Sequence, residues 1–329
     1  HSFTTRNDGY ITEYRLTVND RYAGERPFIE TFSFRFYETE QALADALRIR
    51  EVEGVGSLVP LGEAFDAIPG LTTDTFPMAR YYAVFLNPEN ATALKNKDLR
   101  RALSLAADRA RIATEVFRGW GTPVDSPVFR GVAGSAGGES APEYNPAEAR
   151  TIVAKAGPGR GMLTLVVPRA PLLEQAAGLL RDAWAGVGID VTILSLEPDE
   201  ITRTIIPTRN YDMLLFGNTL RDPADLFPFW HSSQSSHPGM NLASYRSKQA
   251  DAALERLQTA REPGVRAAAL GEVLERISED VPAVFLVSLP YRYLHTERLG
   301  GTSPELVALP ADRFANVARW SVTRARVFE

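Results

Sequence analysis

Apolar and polar positions alternate with period two near the start of the chain. Tyr10, Tyr14, Leu16 and Val18 share one side of Tyr10–Val18. In Phe28–Tyr37, Phe32, Phe34 and Phe36 face one way and Thr31, Ser33 and Arg35 the other. Asn19-Asp20 and the segment Ala23 to Pro27 supply turn chemistry between these two strands. The period then lengthens. Leu43, Ala46, Leu47 and Arg50 recur at helical spacing, and Arg80 to Asn87 is strand-like again. The stretch Asp98 to Gly119 carries Leu99, Ala102, Leu103, Ala106, Ala113, Val116 and Phe117 on one face and predicts one long amphipathic helix.

From there strands and helices alternate. Asn145 caps a helix with Pro146 at its first position, Glu148 set for a capping box and Gly157 past its end. Strand Met162–Val167 leads to a helix over Pro171–Ala185 and then to strand Ile189–Leu194. A short helix from Pro198 precedes strand Tyr211–Phe216. This order predicts βαβ units and a parallel sheet. Helices over Lys248–Arg261 and Val265–Glu279 precede a buried strand, Ala283–Leu289, and the tail has strand-like pieces without a clear helix. Gly131 to Ser140 reads as a surface loop, and Gly157 to Gly161 as a helix stop and turn, because it precedes a strand where a dinucleotide site would join strand to helix.

Length and composition narrow the class. A chain of 329 residues suggests about two domains, and 44% hydrophobic with 23% charged residues is ordinary globular composition. The net charge of −5 argues against a nucleic-acid partner, which calls for a basic face. No apolar run approaches the ~20 residues of a membrane span. With no cysteine, disulfides, zinc–thiolate sites and cysteine nucleophiles are excluded. The first residues, His1-Ser2-Phe3, carry no signal-peptide pattern.

Catalytic motifs are scarce. There is no Gly-x-Ser-x-Gly elbow and no phosphate-cradling loop. His231 and His237 could pair on a metal but sit in a Ser/Gln/His/Pro loop where solvated histidines are the default. Acid pairs such as Glu51/Glu53 and Asp222/Asp225 are tied to no cleft. No catalytic residue, cofactor or metal site is assigned. The more promising feature follows strand Tyr211–Phe216. Ligands of open α/β sheets bind beyond the carboxyl ends of the strands, and there Gly217 to Pro223 is dense in hydrogen-bonding side chains, with Phe227, Phe229 and Trp230 behind. Equally, Asp222-Pro223 could start the next helix and the aromatics could be core.

Several segments, in order, resemble the family 5 extracellular solute-binding proteins of ABC importers, the peptide/nickel-type group. The most specific is Asn87-Pro88 followed by Asp98-Leu99-Arg100-Arg101-Ala102-Leu103 and Ala107-Asp108-Arg109, continuing to Gly119-Trp120-Gly121-Thr122-Pro123. Tyr144-Asn145-Pro146, Gly188-Ile189-Asp190-Val191, Tyr211-Asp212, Asp222-Pro223, Asn241 with Tyr245, Asp251 and Asp280-Val281-Pro282 fall in the expected order. So do Asn19 to Gly24 and Pro27 near the start.

The resemblance implies a two-lobe, type II periplasmic-binding-protein-like α/β fold, with one complete α/β lobe and an incomplete mixed-sheet lobe. Residues 1–86 would be part of lobe I with its N-terminal portion missing, 87–289 a whole lobe II, and 290–329 the return to lobe I. Two crossings, near Phe85–Asn87 and Leu289–Tyr291, would let the lobes close over a solute. The implied role is capture of a peptide-like or other small polar solute and delivery to an ABC permease in the membrane. The protein would be periplasmic, or an extracellular lipoprotein, and a monomer at full length. A hydrolase-like enzyme and a sensor or chaperone-like binder stay open as alternatives on this fold. The implied contacts are Tyr81, Tyr82, Asn87 and Trp120, with Asn218, Thr219, Arg221 and Asp222 from the loop. Arg221 would pair with a ligand carboxylate or phosphate, or else with Asp222 or Asp225. Peptide binders of the family often place a Trp after the loop glycine and an acid three residues before the Asp-Pro. Here those places hold Asn218 and Thr219.

Overall fold

The computed structural model describes residues 1–6, 8–128, 143–156, 162–220, 222, 225–302, 307 and 309–323. Both the Gly131–Ser140 loop and the Gly157–Gly161 turn lie outside the described residues. The chain divides into two compact units, His1–Met78 with Pro290–Glu329, and Ala79–Leu289. The division falls ahead of the Leu86/Asn87 boundary read from the sequence, because Arg80–Leu86 is a central strand of the second unit.

The first unit is antiparallel among its described strands. Strands β1 (Ser2–Thr5), β2 (Ile11–Thr17) and β3 (Thr31–Arg35) form one sheet. A helix, Glu40–Arg48, follows, its first turn closed by the Thr39 hydroxyl accepting from the Ala42 N–H at 3.1 Å. Strands β4 (Gly54–Ser57) and β5 (Leu71–Phe76) come next. The alternating phenylalanines of β3 serve as the sequence implies. Phe32 and Phe34 meet the edge of Phe314, with ring centroids 5.4 and 5.5 Å apart, and Phe32 lies 5.9 Å from Trp320.

The second unit is a three-layer α/β body. Its strands are β6 (Arg80–Leu86), β7 (Thr122–Pro123), β8 (Leu163–Pro168), β9 (Val191–Leu196), β10 (Met213–Thr219) and β11 (Ala283–Ser288). They lie in the order β7-β11-β6-β10-β8-β9. The expected βαβ units are present: β8 runs parallel to β9 and to β10. β6 runs antiparallel to both its neighbours, so the sheet as a whole is mixed. β6 is apolar without alternation because it is buried on both faces. Tyr82, Val84 and Leu86 pack into a core with Leu99, Leu103 and Trp184. Tyr81, Ala83 and Phe85 pack into another with Trp230, Leu254 and Ile277. Each large side chain so buried contributes ~1.5–3 kcal/mol.

The helix expected over Asp98–Gly119 is two. Lys97–Ala106 ends at Ala107, whose backbone is extended, and the Asp108 carboxylate accepts from the Arg111 N–H at 2.9 Å to start the next turn at Arg109–Arg111. This turn widens into a π-turn over Ile112–Val116. The apolar spacing runs across the break, which hides it in the sequence.

Two arginines of the signature stretch close the body. Arg100 donates through Nε to the Asp280 carbonyl at 2.9 Å and to Val281 O at 3.2 Å, and through Nη1 to Leu94 O at 2.9 Å. It thereby caps the end of the helix Pro263–Asp280, where Val281 takes a left-handed φ of 47°. Arg109 is buried and donates to Phe285 O at 2.7 Å, Ser104 O at 3.0 Å and Ser104 Oγ at 2.7 Å, tying this helical turn to β11. Arg109→Met strands those carbonyls in the core. Urea unfolding of the full-length protein should show a loss of ~3 kcal/mol; a loss below ~1 kcal/mol would refute this role for Arg109.

The last strands belong to the first unit: β12 (Tyr291–Thr296), β13 (Leu299–Gly300) and β14 (Ser321–Val322). β12 lies between β4 and β5, and β13 pairs with β14, as the strand-like tail suggests. Trp320 is fully buried here and donates from Nε1 to Asn316 Oδ1 at 3.0 Å.

Candidate functional site

The end of the sheet where β10 finishes and β6 begins gathers most of the residues singled out in the sequence. In the antiparallel register Tyr81 stands opposite Asn218, Tyr82 opposite Gly217 and Arg80 opposite Thr219. Cross-strand partners share a face and successive residues alternate, so these six positions separate into two sets.

Tyr81 and Asn218 form the inward set. Tyr81 is fully buried, and its hydroxyl accepts from Asn218 Nδ2 at 3.1 Å, while its ring meets Phe285 edge-on at 5.4 Å. Burial pushes the Tyr81 phenol well above the usual tyrosine range. The pair is a hydrogen bond locking β6 to β10 inside the core.

Arg80, Tyr82 and Thr219 form the other set. The Tyr82 ring lies close to Gly217, where a Cβ would come within 3.1 Å of a ring carbon, so a larger residue there would push on the ring. On its far side Tyr82 stacks on Phe117, with centroids 6.3 Å apart. The Arg80 guanidinium sits 5.0 Å from the centroid of the Tyr82 ring and donates to its hydroxyl at 2.5 Å. Arg80 and Thr219 are half-buried. Trp120, also half-buried, is held through its N–H to Phe117 O at 2.8 Å, just before β7. The next residue, Gly121, packs on Val287 and Leu289, at the end of β11, so Trp120 belongs to the same end of the sheet.

Three expected contacts need separate statements. Asn87 lies beyond the opposite end of β6, roughly 20 Å from Tyr81 along the strand. It is 1% exposed, and its amide is fully engaged: Nδ2 donates to Arg209 O at 2.9 Å and Tyr211 O at 3.1 Å, and Oδ1 accepts from the Glu89 N–H at 3.2 Å. Asn87 is thus a turn lock and does not join the others. Asp222 is fixed in a turn, its N–H donating to Asp225 Oδ2 at 2.9 Å, and its carboxylate pairs with Arg266. Arg221 lies outside the described residues. Phe227 and Phe229 pack against the core that contains Trp230, which is fully buried. Arg80 was missed in the sequence because it precedes the aromatic run; its only signal is the register that sets it opposite Thr219.

Other conspicuous motif residues are spent on the scaffold. The Asp212 carboxylate accepts from the Thr164 N–H at 2.9 Å and from Asn90 Nδ2 at 2.8 Å. Asn241 bridges His231 O and Tyr245 O, and Tyr245 donates to the Asp280 carboxylate at 2.7 Å. His231 stacks on Phe227 and accepts at Nδ1 from the Ser233 N–H at 3.1 Å. Among the described residues no cluster of His, Asp and Glu is arranged to hold a metal.

A family model described as bacterial extracellular solute-binding proteins, family 5 Middle, matches residues 7–239. The chain belongs to the family 5 extracellular solute-binding proteins. Protein XP55 of Streptomyces lividans is 26% identical over 306 residues, covering 88% of this chain and 55% of that protein. The oligopeptide-binding protein AppA of Bacillus subtilis is 22% identical over 302 residues, covering 83% of this chain and 53% of AppA. The chain therefore spans about half the length of the curated relatives it matches. The structure of AppA with a nonapeptide superposes with a TM-score of 0.77 at 22% identity, covering 98% of this chain and 66% of AppA's. CtaP of Listeria monocytogenes, an ABC transporter substrate-binding protein, gives 0.83 at 20% identity, with 95% and 64% covered. These likenesses fix the fold of this family 5 chain as that of the two-lobe periplasmic binding proteins.

Asn218→Leu should leave the buried Tyr81 hydroxyl without its donor, and Asn87→Ala should leave two carbonyls unpaired. Each is expected to cost ~2 kcal/mol, read as a lower thermal midpoint of the full-length protein. An unchanged midpoint for either would remove its structural role.

Proposed function

We propose that the full-length protein is the solute-binding subunit of an ABC importer. It holds a peptide-like or other small polar solute and delivers it, chemically unchanged, to a permease in the membrane. Membership of family 5 supports the role, and the oligopeptide-binding name of AppA supports a peptide-like solute. The observation that carries the site is the set of Tyr82, 8% exposed, with the half-buried Trp120 and Thr219, drawn from three segments to one end of the sheet. This is where the strands β8 and β10 end, the end at which open α/β sheets take ligands. Two aromatic rings supply contact area at little entropic cost, and the threonine hydroxyl both donates and accepts. Tyr81 and Asn218 hold the strand ends beneath this surface, Asp222 fixes the turn beyond it, and Asn87 is assigned no solute contact.

The family is extracellular, and among the described residues no helix is long and apolar enough to cross a membrane. We therefore place the protein at work outside the cytoplasmic membrane.

Native mass spectrometry of the full-length protein with a pool of unmodified tripeptides tests the reading. Bound peptide should be recovered intact. Tyr82→Ala and Trp120→Ala should each weaken binding by roughly tenfold or more, as expected for buried aromatic anchors. Recovery of cleaved peptide would overturn the binding-only role, and undiminished binding by both variants would move the site elsewhere.

A further inference from the structure

We propose that Arg80 is the anion receptor of this site, taking a carboxylate of the solute together with the Thr219 hydroxyl opposite it. The inference rests on the solute-binding reading above and names the chemical class of the group recognised.

Arg80 opens β6 and pairs in register with Thr219, so both side chains leave the same face of the sheet. A guanidinium carries five N–H donors in a planar fork. One is used on the Tyr82 hydroxyl, and the cation is held against the Tyr82 ring at 5.0 Å. Among the described residues no carboxylate forms an ion pair with it. In the same unit Arg101, Arg169, Arg266 and Arg276 each hold an acid, and Arg100, Arg109, Arg150 and Arg209 donate to backbone carbonyls; among the described residues Arg80 does neither.

The arrangement has the parts that recognition of an oxyanion needs. The fork matches the two oxygens of a carboxylate and can bind them side by side. Its position is fixed in advance by the Tyr82 ring, which Gly217 seats and Phe117 backs, so little freedom is lost when the solute arrives. Half-burial strengthens the charge interaction relative to a fully exposed arginine. The Thr219 hydroxyl stands ready to donate a further hydrogen bond to the same group.

Calorimetric titration of the full-length protein with tri-alanine as the free acid, tri-alanine amide and the amide of Ala-Glu-Ala tests this. The native protein should prefer the free acid to its amide by roughly tenfold or more, the scale of a charge-assisted hydrogen-bonded pair. Recovery of affinity by Ala-Glu-Ala amide would assign the receptor to a side-chain carboxylate instead of the terminal one. Arg80→Gln should bring the acid-to-amide ratio close to one, and Arg80→Lys should keep part of it. Thr219→Asp, which sets a carboxylate of the chain's own opposite the guanidinium, should erase the ratio as well. If Arg80 serves only to pack Tyr82, Arg80→Gln lowers both affinities alike and leaves the ratio intact, which overturns the proposal. Equal binding of acid and amide by the native protein overturns it too, while leaving the solute-binding role standing. Binding of none of the three peptides instead removes the peptide-like solute, and the carboxylate receptor with it.

Discussion

Strand β6 has to satisfy two cores at once. Its odd-numbered side chains, Tyr81, Ala83 and Phe85, fill one helical layer, and Tyr82, Val84 and Leu86 fill the other. Its backbone pairs antiparallel with β10 on one side and β11 on the other. A shift of register by one residue would exchange the two sets of side chains, so burial on both faces holds the strand in a single position. The rest of the larger unit is arranged around that requirement. Arg109 secures β11 from one layer, Arg100 closes the helix that leads into it, and Asn87 pins the far end of β6 to the approach to β10.

The same constraint shapes the candidate site. Because Tyr81 is drawn inward to meet Asn218 and Phe285, Tyr82 must turn the other way, over Gly217. Arg80, two residues before Tyr82, then leaves by the same face. The chemistry at this end of the sheet is a by-product of how the core beneath it is packed.

Local signals made much of this legible in the sequence. The helix Pro171–Ala185 has the bounds its proline start and apolar spacing imply, and Asn145 caps its helix by accepting from the Glu148 N–H. Hidden features depended on contacts between distant segments. Asp108 reads as one more polar residue on a helix face, although it starts a new turn. Tyr81 and Tyr82 are alike in sequence, and only packing on Phe285 or Phe117 tells which face of the sheet each takes. Arg80 gains meaning through its pairing with Thr219, which no local pattern specifies. The family resemblance rested on residues such as Asn87, Arg100, Arg109 and Asp212, whose hydrogen bonds are internal.

Those internal bonds separate two demands that many proteins make on the same residues. Apart from the Tyr81–Asn218 pair beneath the site, the side chains that hold the fold together complete their hydrogen bonds at the far end of β6 and along its flanking helices. Those proposed to meet the solute project from the other end and share none of those bonds. A lineage built on this frame could therefore exchange one cargo for another by altering strand tips, with no debt to the foundations.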